Sequence, residues 1–390
     1  MTSYCTIRMM MMPRLALPLL ATLLTACAST QTPPTEEQPR SGPQPLIRAG
    51  IDSARMNRVT ENSRPDAPAR AGLLLVANQQ AASATVLDAG TMAPVATIPV
   101  GVGPHETVIS PDGRWGIVTN YGDRTTLGNT LSVIDLAAPT LSVVRTIDLG
   151  EYKRPHGAAF IQDGRKVVVT SETSQRLVIV DFFSGKVDTA LATNGKGSHM
   201  VAVRRDGKRA WTANIGDGNV TEFDLEARKT VRQLPAAAND EGIATTPGGI
   251  LLWVGSNSEK TVTIIDTQKG ATIGTLTGFG APYRIGISRT GRVAVVNDPT
   301  ANKIWLYEIG TNRLLATVDV AKLEGLTVRT GQAGAGPEGV TFDPIADIAY
   351  ITLNGSDQVL ALDLVTHKVL GIGPVGTAPD GISYSPLVRK

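Results

Sequence analysis

The sequence predicts an all-β fold, a seven-bladed β-propeller with four-stranded blades, on three observations. A short apolar strand segment occurs seven times, starting at residues 104, 155, 198, 240, 282, 337 and 379. Apart from two longer intervals, the copies start 42 or 43 residues apart, and a period in the forties is typical of propeller blades. The chain has 40 Gly but only 6 Phe, a composition that suits many tight turns and short strands.

The first 26 residues are predicted to be a secretory signal peptide. Arg8 and Arg14 precede an apolar run, Leu15 to Leu24, that is too short to span a bilayer. The run ends in Leu24-Thr25-Ala26-Cys27, which resembles the lipobox of bacterial lipoproteins. This resemblance implies that Cys27 is lipidated after cleavage and that the exported protein is anchored to the outer membrane, facing the periplasm or the cell surface.

Cysteine usage and charge limit the partners of the exported chain. Cys5 lies in the signal peptide and Cys27 would carry the lipid, so the folded part has no cysteine for a disulfide. Removal of the signal peptide takes away two arginines and leaves 35 basic and 35 acidic residues. A neutral body has little general attraction for nucleic acid, so we expect no nucleic-acid partner and contact with the membrane through the lipid anchor alone.

Residues 27–70 are predicted to be a disordered tether, and residues 71–390 the propeller. The tether is rich in Pro, Thr, Ser and Gln, includes Thr32-Pro33-Pro34-Thr35, and has no sustained apolar period. From Leu73 onward the chain consists of short strands of β-branched and aliphatic residues, each followed by Asn, Asp or Gly.

One repeat displays the four strands of a blade most clearly. They are Leu251–Asn257, Thr261–Asp266, Ala271–Leu276 and Arg284–Ser288. The second strand of the blade recurs as Trp115–Asn120 and Ala349–Asn354. These segments resemble the YVTN repeats of bacterial and archaeal seven-bladed propellers, a group that includes YVTN-type surface proteins and, more distantly, lactonase-type propellers. The resemblance covers roughly residues 72–386 and implies the fold, whereas the catalytic residues of the lactonase-type propellers match only in general position.

The two ends of the repeat array predict how the ring closes. The first strand, Leu73 to Asn78, matches the second strand of a blade, and the last, Gly381 to Ser385, matches the innermost strand. The C-terminal strand should therefore complete the first blade, which leaves no long sheet edge open.

Strand order also predicts that the longer loops lie on one face of the ring, which we call the loop-bearing face. These loops are Tyr121 to Asn129, Gly150 to Pro155 and Ala321 to Gly336. The innermost strands begin on the same face. Because loop growth on one face of a repeat array is typical of a binding surface, we expect a small molecule or a protein to bind there.

A ring of polar residues is predicted at the start of the innermost strands. The position after the first residue of each copy is polar or ionisable, and Arg284 follows one of these positions. We call the set the funnel residues: His105, His156, His199, Glu241, Tyr283, Arg284, Glu338 and Asp380.

Three interpretations of the funnel residues stay open. The Pro-His pairs could be structural strand entries whose imidazoles bond loop carbonyls. Alternatively, His105, His156 and His199 bind a divalent metal, since neutral imidazole is a common ligand and three histidines with an open position suit Zn²⁺. The third is a metal-free acid/base site for a small organic ligand, in which carboxylates face the imidazoles and Arg284 receives a carboxylate or phosphate.

Two classes of function follow from these interpretations. The first is a binding or scaffold module, which needs only the rigid ring and its loops. The second is an enzyme, a lactone hydrolase or a metal-dependent lyase that uses the same funnel. The sequence contains no Gly-x-Ser-x-Gly elbow, P-loop, cysteine cluster or EF-hand. His367 falls in a hairpin on the opposite face and is interpreted as incidental, and the protein is expected to be a monomer.

The lipobox generates a first test. Cys27→Ser removes the only acceptor for the lipid, so the protein should move from the membrane pellet to the soluble periplasmic fraction after cell fractionation, with an unchanged melting temperature. Cys5→Ser, which changes a residue of the signal peptide, is the control and should leave the protein in the pellet. A Cys27→Ser protein that still pellets in high salt would contradict lipid anchoring.

Overall fold

A computed structural model describes residues 70–389, which form a ring of seven four-stranded antiparallel sheets. The predicted seven-bladed β-propeller is confirmed. The signal peptide 1–26, the lipidation site Cys27 and all but the last residue of the tether 27–70 lie outside the described residues. Within residues 70–389, no helix is long and apolar enough to cross a membrane.

The strands have four ranks from the centre of the ring outward. The innermost strands are β4 (Pro104–Ile109), β8 (Pro155–Ile161), β12 (Ser198–Val203), β16 (Asp240–Thr245), β20 (Ile285–Ile287), β24 (Pro337–Phe342) and β28 (Pro379–Ser385). The second strands are β1 (Leu73–Asn78), β5 (Trp115–Gly122), β9 (Lys166–Ser171), β13 (Arg209–Asn214), β17 (Leu251–Ser256), β21 (Val293–Asp298) and β25 (Ile348–Leu353).

The outer half of each blade follows the same order. The third strands are β2 (Ser83–Asp88), β6 (Leu127–Asp135), β10 (Arg176–Asp181), β14 (Asn219–Asp224), β18 (Thr261–Asp266), β22 (Lys303–Glu308) and β26 (Gln358–Asp363). The outermost strands are β3 (Pro94–Pro99), β7 (Val143–Asp148), β11 (Lys186–Ala192), β15 (Lys229–Pro235), β19 (Ala271–Leu276), β23 (Leu314–Asp319) and β27 (Val369–Pro374). Four single-turn 3₁₀ helices are Gln79–Ala81, Gln162–Gly164, Val320–Lys322 and Asn354–Ser356.

The second strands read as continuous apolar runs because they are buried on both faces. In β1, Leu74 packs with Tyr350 of the preceding blade, whereas Leu75 packs with Val118 of the following blade. Alternate side chains of a strand point to opposite faces, so a strand between two packed blades needs apolar residues at every position. The outermost strand β3 is largely exposed and has proline at both ends, which an edge strand tolerates.

The C-terminal strand closes the ring as predicted. The first sheet has the order β28-β1-β2-β3, with Leu73 paired with Ser385 and Leu75 paired with Ser383. Leu387 then packs into the core between the first two blades, and Arg389 donates hydrogen bonds to three carbonyls of the adjacent blade. The last strand of the chain is therefore an integral part of the first blade.

One predicted loop is different in the structure. The segment from Tyr121 to Asn129 is mostly strand, since β5 continues to Gly122 and β6 begins at Leu127. The connecting turn is short because the Asp123 carboxylate accepts the backbone N–H groups of Thr125 and Thr126, both at 2.7 Å. The other two segments, 150–155 and 321–336, connect blades on the loop-bearing face as predicted.

Ring closure generates the second prediction. Deleting residues 381–390 removes most of β28 and leaves backbone donors and acceptors of β1 unpaired at a cost of about 1–3 kcal/mol each. The melting temperature should fall by about 10 °C or more, or the cooperative transition should disappear in calorimetry. A chain that ends at Val388 keeps β28 but lacks the Arg389 contacts, and it should melt close to the parent. Equal melting of both truncated chains would contradict this account of closure.

Candidate functional site

The funnel residues lie together on the loop-bearing face, where the innermost strands begin. Each innermost strand contributes the side chain that follows its first residue. The blade of β20 is the exception, because Tyr283 and Arg284 both precede its strand. This strand begins at Ile285 because Tyr283 and Arg284 together oppose the single residue Asn297. The N–H of Tyr283 donates to the Asn297 carbonyl, and the N–H of Asn297 donates to the Arg284 carbonyl.

A β-bulge presents these side chains to the channel. In β4, Pro104 pairs with Asn120 and Thr107 with Val118, so His105 and Glu106 together oppose the single residue Thr119. The hydroxyl of Thr119 accepts the N–H of Glu106 at 2.9 Å, which satisfies the donor that the bulge removes from the ladder. Bulges are frequent at sites because they redirect side chains.

Glycine after the funnel residue lets neighbouring innermost strands approach closely. A Cβ on Gly242 would lie 2.2 Å from the carbonyl oxygen of Tyr283, and a Cβ on Gly381 would lie 2.5 Å from Cα of Glu106. Neither contact is possible for a residue with a side chain, so glycine is required at both positions. The narrow channel that results brings the side chains of different blades into contact.

Arg284 connects carboxylates on both sides of the channel. Its Nε and Nη2 donate to Oε1 of Glu106 at 3.1 and 2.8 Å, and its Nη1 donates to Oε1 of Glu241 at 2.9 Å. The guanidinium also stacks on the Tyr283 ring at 4.4 Å and lies 3.8 Å from Asp380. Only 4% of Arg284 is exposed, so these acids offset the cost of its burial. The guanidinium expected to receive a ligand anion is thus paired with carboxylates of the chain itself.

Burial and neighbouring charges shift the pKa values of the funnel carboxyl groups in different directions. Burial raises the pKa of Glu106, although Arg284 opposes the shift. Burial also raises the pKa of Glu338 well above its usual value, and the charge of Asp380 adds to this shift. Burial would raise the pKa of Asp380 as well, but His105 and Arg284 outweigh it and the pKa is lowered. The funnel therefore holds an ionised Asp380 beside carboxyl groups that retain protons more readily.

His105 forms an ion pair with Asp380. Its Nδ1 lies 2.6 Å from Oδ2 of Asp380, without the alignment of a hydrogen bond. Burial disfavours the charged imidazole, but Asp380 outweighs burial, and the pKa of His105 is raised. The contact occupies the Nδ1 side of the ring and leaves Nε2 outside the pair.

His156 is the middle imidazole of a row of three. Its ring centroid lies 4.0 Å from that of His105 and 3.7 Å from that of His199. The side chain is fully buried, and neither ring nitrogen has a hydrogen-bond partner among the described residues. Burial, followed by the charges of His105, His199 and Arg284, lowers its pKa well below 6.5. The ring is consequently neutral at pH 7, with one donor and one acceptor unpaired.

His199 is oriented by the backbone of the next blade. Its Nδ1 lies 3.1 Å from the carbonyl oxygen of Glu241, an acceptor, so Nδ1 carries the proton and Nε2 holds the lone pair. Nε2 lies 3.3 Å from Oε1 of Glu241. Burial lowers the pKa of His199, and the charge of Glu241 opposes this shift in part.

A second ring of side chains, which the sequence analysis missed, surrounds the row of imidazoles. Tyr121 contacts both His105 and His156 edge to face, with centroid distances of 5.1 and 5.4 Å. Its hydroxyl donates to Oε2 of Glu172 at 3.0 Å, and burial together with Glu172 raises the pKa of Tyr121 to about 12. The guanidinium of Arg154 stacks on the Tyr121 ring, with its central carbon 4.5 Å from the ring centroid.

The repeat register was the signal for this second ring. Glu172 immediately follows the second strand β9, and Asn257 and Asn354 follow β17 and β25 in the same way. Asn257 donates to Oε2 of Glu241 at 3.3 Å, and Asn354 donates to the carbonyl of Pro379 at the same distance. In these three blades the residue after the second strand therefore contacts the funnel residues or the backbone beside them.

Two groups of side chains in this region have the proximity of metal ligands. One comprises His105, Glu106 and His156, and the other comprises His156, Glu172 and His199; the ligand atoms of each group lie within 4.8 Å of one another. The predicted set of three histidines is thus divided, with His156 common to both groups. Two imidazoles and one carboxylate are a donor set that Zn²⁺ accepts.

The residues singled out in the sequence are located as follows in the structure. All eight funnel residues lie in the channel described above. His367 lies in the turn between β26 and β27, on the other face of the ring. Cys27 lies outside the described residues.

Two solved structures have a similar fold. Hydrazine synthase of Kuenenia stuttgartiensis is 16% identical, with a TM-score of 0.62 over 73% of this chain and 90% of that chain. A functionally unknown protein from Desulfotomaculum acetoxidans DSM 771 is also 16% identical, with a TM-score of 0.65 over 81% of this chain and 99% of that chain. No family model and no curated protein matches the chain. These likenesses show the propeller fold alone, and the resemblance to YVTN repeats stays a prediction.

Arg284 generates the third prediction. Arg284→Met leaves Glu106 and Glu241 buried without their cation, and breaking a buried pair in this way costs about 3–5 kcal/mol. The free energy of unfolding at pH 7, measured by urea denaturation, should fall by this amount. Adding Glu106→Gln should restore part of the loss, since it removes one of the unpaired charges. Lys208→Met, which breaks an exposed pair with Glu226, is the control and should leave the urea midpoint nearly unchanged. Equal midpoints for Arg284→Met and the parent would contradict the prediction.

Proposed function

We propose that this propeller is a binding module that holds a divalent transition metal ion in its funnel, through His156, Glu172 and His199. The observation that carries the proposal is the fully buried imidazole of His156, neither of whose nitrogens has a partner among the described residues. A histidine that served only as core would have its nitrogens hydrogen-bonded, since an unpaired buried polar group costs about 1–3 kcal/mol. Coordination by the neutral ring would offset this cost.

The surroundings of the other two ligands support the same proposal. Metal-bound histidines usually donate their second ring nitrogen to a carbonyl or carboxylate, which orients the ring. The Glu241 carbonyl is in this position at Nδ1 of His199 and leaves Nε2 for the metal. The Tyr121 hydroxyl similarly holds Oε2 of Glu172 and leaves Oε1.

The charge of the funnel favours a cation. Five carboxyl groups surround the imidazoles, and Arg284 is the buried cation that offsets them. The carboxyl groups belong to Glu106, Glu172, Glu241, Glu338 and Asp380. A dication bound among them would be attracted by the ionised carboxylates and would displace the protons that Glu106 and Glu338 retain.

Three protein ligands would leave a coordination position open for a further ligand. A small molecule could bind to the ion at this position, or a protein could bind over it. In both cases the propeller acts as a binding module. We further propose, from the signal peptide and the lipobox, that the module works outside the cytoplasm on a tether anchored through Cys27.

Metal affinity should depend on pH in a way set by the burial of the histidines. Protons compete with the metal for the ring nitrogens. Burial lowers the pKa of His156 well below 6.5 and also lowers the pKa of His199, so protons compete with the metal only at a lower pH than they would for exposed imidazoles. Affinity should therefore fall less between pH 7.5 and 6.5 than below pH 6.5.

The fourth prediction tests the site directly. His156→Ala should lower Zn²⁺ affinity in calorimetric titration by more than about 100-fold, since loss of an outer-shell partner alone costs about 10–100-fold. His367→Ala is the matched control, because it removes the one histidine of residues 70–389 outside the funnel, and it should bind Zn²⁺ as the parent does. Absence of saturable uptake by the parent, or equal titrations of the two variants, would overturn the metal site.

A further inference from the structure

We propose that His156 bridges two metal ions, the second of which is held by His105 and Glu106. This proposal rests on the proposed function for the first ion, at His156, Glu172 and His199. The two groups of candidate ligands meet only in His156, and the ligand atoms within each group lie within 4.8 Å of one another. A bridge would explain why one imidazole belongs to both groups.

The position of the His156 ring suits a bridge. It lies between the rings of His105 and His199, at centroid distances of 4.0 and 3.7 Å, and is tilted by 43° and 42° against them. Both of its nitrogens are buried without a hydrogen-bond partner among the described residues. An imidazole can offer two lone pairs, one to each ion, once its N–H bond breaks and the proton passes to solvent. No oxidation or reduction accompanies this step.

The Nδ1 atoms of His105 and His199 both face an oxygen of a neighbouring blade. Asp380 lies 2.6 Å from Nδ1 of His105, and the Glu241 carbonyl lies 3.1 Å from Nδ1 of His199. Nε2 is therefore the nitrogen left for a metal in both rings, and in His199 it also lies 3.3 Å from Oε1 of Glu241. A carboxylate behind a histidine raises its basicity and fixes its orientation in metal sites. The two ends of the row are thus arranged alike, with His156 between them.

Glu106 can still act as a ligand although it binds Arg284. Arg284 donates two hydrogen bonds to Glu106, both to Oε1, and Oε2 lies outside these bonds. Once the ions displace the protons that Glu106 and Glu338 retain, the five carboxylates of the funnel and the imidazolate of His156 together offset the charge of two dications and one guanidinium. A second ion therefore does not leave the buried site with a large excess of positive charge.

Copper titration distinguishes the two ions. The probe is Cu²⁺, added to the full chain in a background with Cys5→Ser, Cys27→Ser and His367→Gln, which removes both thiols and the histidine outside the funnel. Bound copper is counted by elemental analysis after gel filtration, and its electron paramagnetic resonance intensity is recorded. We expect two ions per chain, and the second equivalent should lower the signal below that of the first, because an imidazolate couples the two unpaired electrons.

Single variants assign the ions to their ligands. His105→Asn should retain one copper with an undiminished signal, and His199→Asn should retain the other, whereas His156→Gln should give no coupled pair. If His105→Asn melts far below the background protein, His105→Gln, which is closer in size to histidine, replaces it. Coupled copper in either His105 variant would overturn the bridge.

The stoichiometry separates this proposal from the proposed function. One copper per chain, or two with additive signals, would overturn the bridge and leave the single-metal module standing. No bound copper in the background protein would overturn both.

Discussion

The pairing of β28 with β1 is the constraint on which the rest of the structure depends. It joins the last strand of the chain to the first and makes the innermost strands a continuous ring. Each blade buries apolar side chains against both neighbours, so an open ring would expose two blade faces to water. Closure also fixes the distance across the channel, and the funnel residues meet because the ring has a set number of blades.

The narrow channel requires compensation for buried charge. Carboxyl groups from several blades are brought together with little water, which is unfavourable unless a cation pairs with them. Arg284 supplies this cation and is held in turn by Glu106 and Glu241. The acids on this side of the channel therefore have a structural partner. Among the imidazoles, His105 faces Asp380 and His199 faces the Glu241 carbonyl, whereas neither nitrogen of His156 has a partner among the described residues. His156 is therefore the imidazole whose polar atoms are left available for binding.

The fold was predictable from the sequence because each blade is specified by a local sequence pattern, and this pattern is repeated along the chain. Continuous apolar runs, turn residues and the period in the forties each reflect one blade, so seven copies reinforce one interpretation. The first ring of funnel residues followed from the same register. The role of Arg284 did not, because its partner Glu106 lies 178 residues away and only the curvature of the ring brings them together. Glu172 was missed because it follows a second strand, where the repeat pattern indicates only a turn.

Closure by the last strand also has a consequence for the synthesis of the protein. Asp380, which lies beside His105, and Gly381, which packs against Glu106, are synthesised after the other six innermost strands. A nascent or truncated chain that stops before residue 379 lacks the contacts that complete the centre. Ligand binding would thus be acquired only after β28 has been synthesised, and shorter fragments would not compete for the ligand.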